Sequence, residues 1–360
     1  MSFKSLMSFG SLMSSRSLGV FFMTTKSKLS LRLLRNERLS ADAYLLTFAL
    51  PSGPARECRP GQFFNLRPLD STAPLLRRPI SICDARPEEG EMDFLIQVIG
   101  YGTRLLCRNL PGAEVDAVGP LGTSFQADPA RPALMVAGGM GVAPLYFLAR
   151  WMRREAAALN LTGRAEPGLA ECAERGVVGR GEGAGGGAGS VPVRARPCSA
   201  NNGAPITFCY GARSASNFVL LDRIGREVSR LELATEDGSR GVKGYVTEAV
   251  RDFLKPGPRA QPDAQTHSTA QTHSGERAQP DEQVRLAEQI FVCGPPAMMR
   301  DVLVMMRERG LEGQFSLENQ MGCGVGACMG CVVPSRGGFL RVCCDGPVVN
   351  SSQLDSVFTG

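Results

Sequence analysis

Cys323, Cys328 and Cys331 stand in a single run, Cys323-Gly-Val-Gly-Ala-Cys328-Met-Gly-Cys331, and Cys343 follows a stretch that reads as a hairpin. The spacing C-x4-C-x2-C…C is a pattern by which four thiolates take a [2Fe–2S] cluster. Two irons and two bridging sulfides leave little room for side chains, and Gly322, Gly324, Gly326 and Gly330 keep the loop bare. Those glycines also admit positive φ and let backbone N–H groups face sulfur. A structural zinc ion and a disulfide framework are the competing readings. Zinc usually draws on two separated C-x2-C knuckles, and one such pair occurs here. A chain of 360 residues with 12 scattered cysteines is not a disulfide-stapled scaffold, and it fits a reducing compartment. Cys58, Cys83, Cys107, Cys172, Cys198 and Cys209 carry no ligand spacing and read as buried or incidental thiols.

Weaker signals precede the cysteines. In Arg77-Arg78-Pro79-Ile80-Ser81 an arginine beside a strand can neutralise a pyrophosphate, and the serine can hydrogen-bond a flavin edge. Gly100-Tyr-Gly102-Thr103 opens a helix, where backbone N–H groups and the macrodipole favour phosphate; the same residues make an ordinary glycine turn capped by threonine. Gly138-Gly139-Met140-Gly141 follows an apolar strand and lets a dinucleotide approach the backbone. Phe291-Val-Cys293-Gly294-Pro295-Pro296 leaves a second strand and starts a helix, so the two turns can wall a nicotinamide pocket. Cys293 is either beside a hydride path or a structural thiol.

The elements that must position these residues follow from periodicity. Strands are expected at 29–34, 43–48, 62–66, 78–83, 92–98 and 114–118, with a polar turn between the first two and a helix at 103–110. Six short strands suggest a small antiparallel barrel over 27–130. From about Arg131 the pattern becomes strand and helix in alternation. Strands are expected at 133–137, 206–210, 231–234 and 289–292, and helices from Leu145 and at 217–224, 247–254 and 296–309. That alternation predicts a parallel sheet covered by helices over 131–315, followed by a small cluster subdomain over 316–360.

Three segments stand apart. Residues 1–26 are Ser- and Met-rich and basic, contain the repeat Ser-Phe-Lys/Gly-Ser-Leu-Met, and read as a disordered extension; a transit peptide and a start codon called too early, with Met23 nearer the true start, both fit. About 164–203 and 258–286 are low-complexity and read as disordered insertions. The only histidines, His267 and His273, fall in the second, so histidine is not expected as acid, base or ligand. Net charge is +5 with no basic stripe interleaved with aromatics, which argues against nucleic acid. No apolar run reaches membrane-spanning length.

Taken together, these motifs resemble the ferredoxin-reductase superfamily. Ser316-Leu-Glu318, Met321-Gly-Cys323 through Cys331, and Val342-Cys343-Cys344-Asp345-Gly346-Pro347 narrow the resemblance to electron-transfer subunits of class 1B dihydroorotate dehydrogenases. Tyr210-Gly-Ala-Arg213-Ser214 and the stretch 237–247 are similar to family segments as well. The resemblance covers about 27–163, 204–256 and 287–352. It implies a multidomain β plus α/β chain: an FAD-binding barrel, a Rossmann-like NAD-binding domain and a [2Fe–2S] subdomain. It assigns FAD to Arg78, Pro79, Ile80, Ser81, Leu95, Ile96, Gln97, Gly102 and Thr103, while the two glycine turns leave the dinucleotide to Gly138, Gly139, Gly141, Gly294 and Pro295. The cluster falls to Cys323, Cys328, Cys331 and Cys343; the family usually has a non-cysteine where Cys344 stands. The implied activity is cytoplasmic electron transfer in pyrimidine synthesis. A separate FMN subunit oxidises dihydroorotate, and electrons pass through the cluster and FAD to NAD+ in an expected heterotetramer of two chains of each kind. No general base is expected in this chain. Alternatives are the small subunit of an NAD(P)H-dependent ferredoxin oxidoreductase or sulfhydrogenase, and a non-catalytic redox-sensing chain. NAD versus NADP is not legible, although Arg213 is a residue able to accept a 2′-phosphate.

Overall fold

The computed structural model describes residues 27–50, 57–68, 73–162, 203–254 and 287–355. The N-terminal extension, both insertions with His267 and His273, and Cys172 and Cys198 lie outside the described residues.

Six antiparallel strands close the barrel. They are β1 (Ser27–Arg38), β2 (Ala43–Ala49), β3 (Phe63–Pro68), β4 (Arg78–Arg86), β5 (Glu91–Gln97) and β6 (Glu114–Leu121), in the order β1-β2-β5-β4-β3-β6. Closure removes the free edges that short strands otherwise expose. Phe48, Phe64 and Phe94 fill the interior edge to face, with ring centroids 5.8 and 5.6 Å apart. Helix α1 (Tyr101–Arg108) adds Leu106 and Cys107 to that core. It starts two residues earlier than the sequence suggests, because the Thr103 hydroxyl accepts the N–H groups of Ile99 and Gly100 and so nucleates the turn ahead of itself. Strand β1 runs on through Arg35-Asn36-Glu37-Arg38, which the sequence reads as turn. A register shift between Leu33 and Arg35 accommodates the polar residues, and Asn36 bonds the Cys107 and Asn109 carbonyls.

A seven-stranded sheet forms the second layer. Its strands are β7 (Ala133–Gly138), β8 (Ile206–Ala212), β9 (Arg230–Thr235), β10 (Val242–Lys243), β11 (Gln289–Cys293) and β12 (Gln314–Ser316); after the hairpin β13 (Val332–Ser335) and β14 (Gly338–Arg341) comes β15 (Val348–Asn350). The order is β10-β9-β8-β7-β11-β12-β15. Every residue of β7 is buried, as befits a central strand covered on both faces. Helices α2 (Val142–Thr162) and α3 (Leu221–Glu227) pack one face, and α4 (Val246–Phe253) and α5 (Pro296–Glu308) the other. The chain builds outward from β7 to β10, then crosses to β11 on β7's other side. The switch point therefore lies between the carboxyl ends of β7 and β11.

The structure corrects the sequence reading in this domain as well. Strands β12 and β15 were not expected, and β15 runs antiparallel on an otherwise parallel sheet. At three residues each they are too short to carry a period; they form because β11 offers an edge. The helix expected at 217–224 begins only at Leu221, because Phe218, Val219 and Leu220 are drawn into the core as irregular chain.

Barrel and sheet share a core. Leu45, Cys83, Leu95 and Phe125 pack with Met135, Tyr146 and Tyr210, and the Phe125 and Phe291 rings meet edge to face at 5.5 Å. A buried ionic cluster seals the seam. Arg86, 7% exposed, reaches Asp84 and Asp93 at 2.7 Å, Glu89 at 2.9 Å and Glu91 at 3.0 Å. From α2 and α3, Arg150 reaches Asp84 at 3.4 Å and Arg223 reaches Asp93 at 3.8 Å. A cavity of about 780 Å³ opens on this seam, away from the glycine turns.

Glu91 gives the seam a pH dependence. Its hydrogen bond from Arg35 lowers the carboxyl to about 2; burial opposes this, and Arg86 adds to the lowering. The folded state thus holds the proton more weakly than the unfolded chain, whose glutamates titrate near ~4.3. The stabilisation is complete above that value and is lost as pH falls toward about 2. Thermal melts between those limits should show a falling midpoint, and Glu91→Gln should flatten that slope.

Candidate functional site

The cysteine loop leaves β12 and is held by its own backbone. The N–H groups of Val325 and Cys328 donate to Cys323 Sγ, and those of Cys323 and Gly330 to Cys328 Sγ, each at 3.4 Å. Cys343 N donates to Cys331 Sγ at 3.5 Å. Glycine makes this possible: a Cβ at Gly322 would lie 3.2 Å from Cys328 Sγ, and Gly324 and Gly326 adopt φ of +71° and +86°.

Cys323 and Cys328 hydrogen-bond one another, and Cys343 bonds both Cys331 and Cys344. Among the described residues no three His, Cys, Asp or Glu side chains converge as they would on one metal ion. Cys331 and Cys343 are buried, Cys323 is half-buried and Cys328 exposed. Burial works against ionisation of Cys323, but the N–H groups of Val325 and Cys328 outweigh it and bring the thiol to about 6. Cys343 is pushed up by burial and by its neighbours Cys331 and Cys344. A site that crowds sulfurs and aims N–H groups at them fits an iron–sulfur cluster.

The loop is docked on the barrel. Asn65 of β3, 1% exposed, donates from Nδ2 to the Cys323 carbonyl at 3.4 Å. A Cβ at Gly324 would fall 1.9 Å from that Nδ2, so the close approach requires glycine. Asn65 pairs in register with Pro79 of β4, and Leu66 with Arg78. Asn65 Oδ1 is buried without a protein partner, an acceptor aimed at something the chain does not supply. Thr123, just after β6, fastens the other side: its N–H reaches the Gly346 carbonyl at 2.7 Å, and its hydroxyl bonds Val348 at 2.8 and 3.1 Å. No local pattern in the sequence singles out Asn65 or Thr123.

The stretch Arg78–Ser81 opens β4, and its arginine meets the turn at α1. A Cβ on Gly102 would lie 2.0 to 2.5 Å from the Arg78 guanidinium, so the cation rests directly on the helix start. Arg78 donates to the Leu76 carbonyl. A half-buried guanidinium against the unsatisfied N–H groups of a helix start suits a pyrophosphate. The Thr103 hydroxyl is taken up in holding the turn. Leu95 and Ile96 bury their side chains in two different cores, and Gln97 is tied to Asp42 at 2.7 Å. Gly102→Ala should displace Arg78 without disturbing the barrel. FAD affinity measured by fluorescence is expected to fall about tenfold or more, the loss of one charge-assisted contact of ~1.5–3 kcal/mol, while far-UV dichroism stays unchanged.

The two glycine turns converge at the switch point. A Cβ on Gly141 would lie 2.2 Å from the Cys293 carbonyl, and one on Gly138 2.7 Å from Pro295. Gly139 has φ +52° and Gly294 +159°. Cys293, 1% exposed, hydrogen-bonds Ser316, its register partner on β12, and burial pushes its thiol well up. Arg213 is exposed beyond β8.

Residues 318–355 match the model of the iron–sulfur cluster binding domain of dihydroorotate dehydrogenase B. A dihydroorotate dehydrogenase B (NAD(+)) electron transfer subunit from Clostridium acetobutylicum is 30% identical over 299 residues, which cover 83% of this chain and 87% of that one. This chain belongs to the family of dihydroorotate dehydrogenase B electron transfer subunits. The Desulforamulus reducens member is 29% identical over 321 residues, covering 88% of this chain and 94% of its own. An Aquifex aeolicus homolog is 28% identical and is covered over 98% of its length. Among solved structures, the NADH-dependent reduced ferredoxin-NADP oxidoreductase superposes with a TM-score of 0.63 at 23% identity, covering 90% of this chain and 89% of that one. The ferredoxin reductase of carbazole 1,9a-dioxygenase does so at 0.51 and 18%, covering 79% of this chain and 67% of its own. These likenesses show the ferredoxin-reductase fold. No described helix is long and apolar enough to cross a membrane.

Proposed function

We propose that this chain passes electrons from the FMN of a dihydroorotate dehydrogenase catalytic subunit, through a [2Fe–2S] cluster and FAD, to NAD+ in de novo UMP synthesis. The observation that carries the reading is Asn65, which joins the cysteine loop to the strand beside Arg78–Ser81 and so sets the two cofactor sites against one another. When bound, the cluster supplies one-electron chemistry, and FAD with NAD+ supplies hydride chemistry.

The chain's own residues bind and orient. Cys323, Cys328, Cys331 and Cys343 would hold the cluster. Arg78 with Gly102 and Thr103 takes the pyrophosphate, while Pro79, Ile80, Ser81 and the backbone of Leu95, Ile96 and Gln97 line the flavin. Gly138, Gly139, Gly141, Gly294 and Pro295 receive the dinucleotide at the switch point, with the buried Cys293 thiol forming the wall behind it. No side chain here acts as a general base; the substrate proton leaves in the partner subunit. Cys328 with Val325 and Met329, all exposed to solvent, marks where an external donor reaches the cluster. We assign the barrel to 27–130, the nucleotide domain to 131–315 and the cluster segment to 316–360, in a cytoplasmic heterotetramer of two chains of each kind.

The test is anaerobic, dihydroorotate-dependent reduction of NAD+ by this chain mixed with its FMN subunit. Activity is expected only with both proteins. No activity from a mixture whose FAD and cluster are both loaded and reducible would sink the pairing, and a strong preference for NADPH would point to ferredoxin chemistry instead.

A further inference from the structure

We propose that Cys344 donates a hydrogen bond from its thiol to the Cys343 sulfur and thereby raises the reduction potential of the cluster held there. The inference rests on Cys343 being the fourth ligand.

The two sulfurs are 3.7 Å apart, within hydrogen-bonding distance for thiols. Once Cys343 binds iron as a thiolate it has no proton to give, so the proton in the pair must come from Cys344. The turn that carries both is rigid. Arg341 clamps Asp345 through its backbone N–H at 2.9 Å and through Nε and Nη2 at 3.0 Å. Cys344 N and Asp345 N both donate to the Arg341 carbonyl, at 2.9 and 2.8 Å. Opposite stands Gly326 of the cysteine loop, where a Cβ would lie 2.7 Å from Cys344 Sγ. The glycine opens the space in which Cys344 lies against the loop, half-buried.

The direction of the effect follows from charge. Reduction adds one negative charge to the cluster and its thiolates, so a donor to a ligand sulfur is bound more tightly in the reduced state. Hydrogen bonds to the sulfurs are among the determinants of cluster potential. Cys344 is therefore a positioning residue, acting on the irons only through Cys343.

The experiment uses the full cluster-loaded chain in three forms, wild type, Cys344→Ala and Cys344→Ser. Iron content and the electron paramagnetic resonance of the reduced state are read first, then the midpoint potential by spectroelectrochemistry. Both variants are expected to keep wild-type iron. The alanine variant should show a lower midpoint, and serine, whose hydroxyl also donates, should move it back toward wild type. An alanine midpoint equal to wild type, or serine and alanine lowered equally, would overturn the proposal while leaving Cys343 as ligand. Loss of iron from Cys344→Ala would overturn both, because Cys344 would then be the ligand itself.

Discussion

Cys331→Ala is expected to strip the chain of iron and to cut partner-coupled NAD+ reduction by more than the roughly 10–100-fold that an outer-shell change costs at a metal site. Oxidation of NADH by an artificial acceptor should continue near the wild-type rate, because that route needs only the flavin and the switch-point turns. Cys331 is the informative choice among the four. It is 2% exposed and packs with Phe63, Leu121 and Phe315 in the core under the sheet. Its loss thus removes a ligand while alanine keeps the site apolar. Cys328→Ala, at an exposed position, should cost the same iron with less change in the melting curve. Retention of a full cluster in Cys331→Ala would refute the ligand set. Loss of FAD along with iron would instead mean that the fold had failed, and Cys328→Ala then decides.

The second large effect lies at the seam between barrel and sheet. Arg86→Met should destabilise the chain by about 3–5 kcal/mol, the cost of leaving buried charge without its partner. Asp84 and Asp93 are 0% and 2% exposed and both depend on this guanidinium. Chemical denaturation measures the loss. Adding Asp93→Asn should recover part of it, since the double variant buries one fewer orphaned carboxylate. A change below ~1 kcal/mol would mean that Arg150 and Arg223 already satisfy the two aspartates.

What the sequence made legible was whatever is local. The four cysteines proposed as ligands lie within 21 residues, and their spacing pointed to the cluster chemistry. The barrel strands announce themselves by apolar pattern and turn residues, and β7 by an unbroken apolar run. The Gly138 and Gly294 turns were recognisable separately; only the adjacency of β7 and β11 brings them together. Residues whose importance depends on a distant partner left no trace. Asn65 matters because Cys323 arrives from 258 positions away, and Thr123 because Val348 arrives from 225. Arg86 reads as an ordinary charge at the end of a strand until four carboxylates close on it. Strands β12 and β15 belong to the same class, since three residues extend only where a neighbouring edge already exists.

The antiparallel edge strand has a consequence for how the protein is made. The barrel is topologically complete once Leu121 has been synthesised, because β6 then closes on β1 and β3. The sheet has no such early closure: β12 is covered only when Val348–Asn350 returns to it, after the ligand cysteines have been translated. Domains fold largely as their chains emerge, so the barrel can be ready to take FAD while the outer edge of the sheet is still open. The run from Cys323 to Cys343 is thus translated after the barrel can close and before β15 covers β12. Until β15 docks, the growing chain carries a finished barrel and an open sheet edge, exposed to the pairing errors that unpaired strands invite.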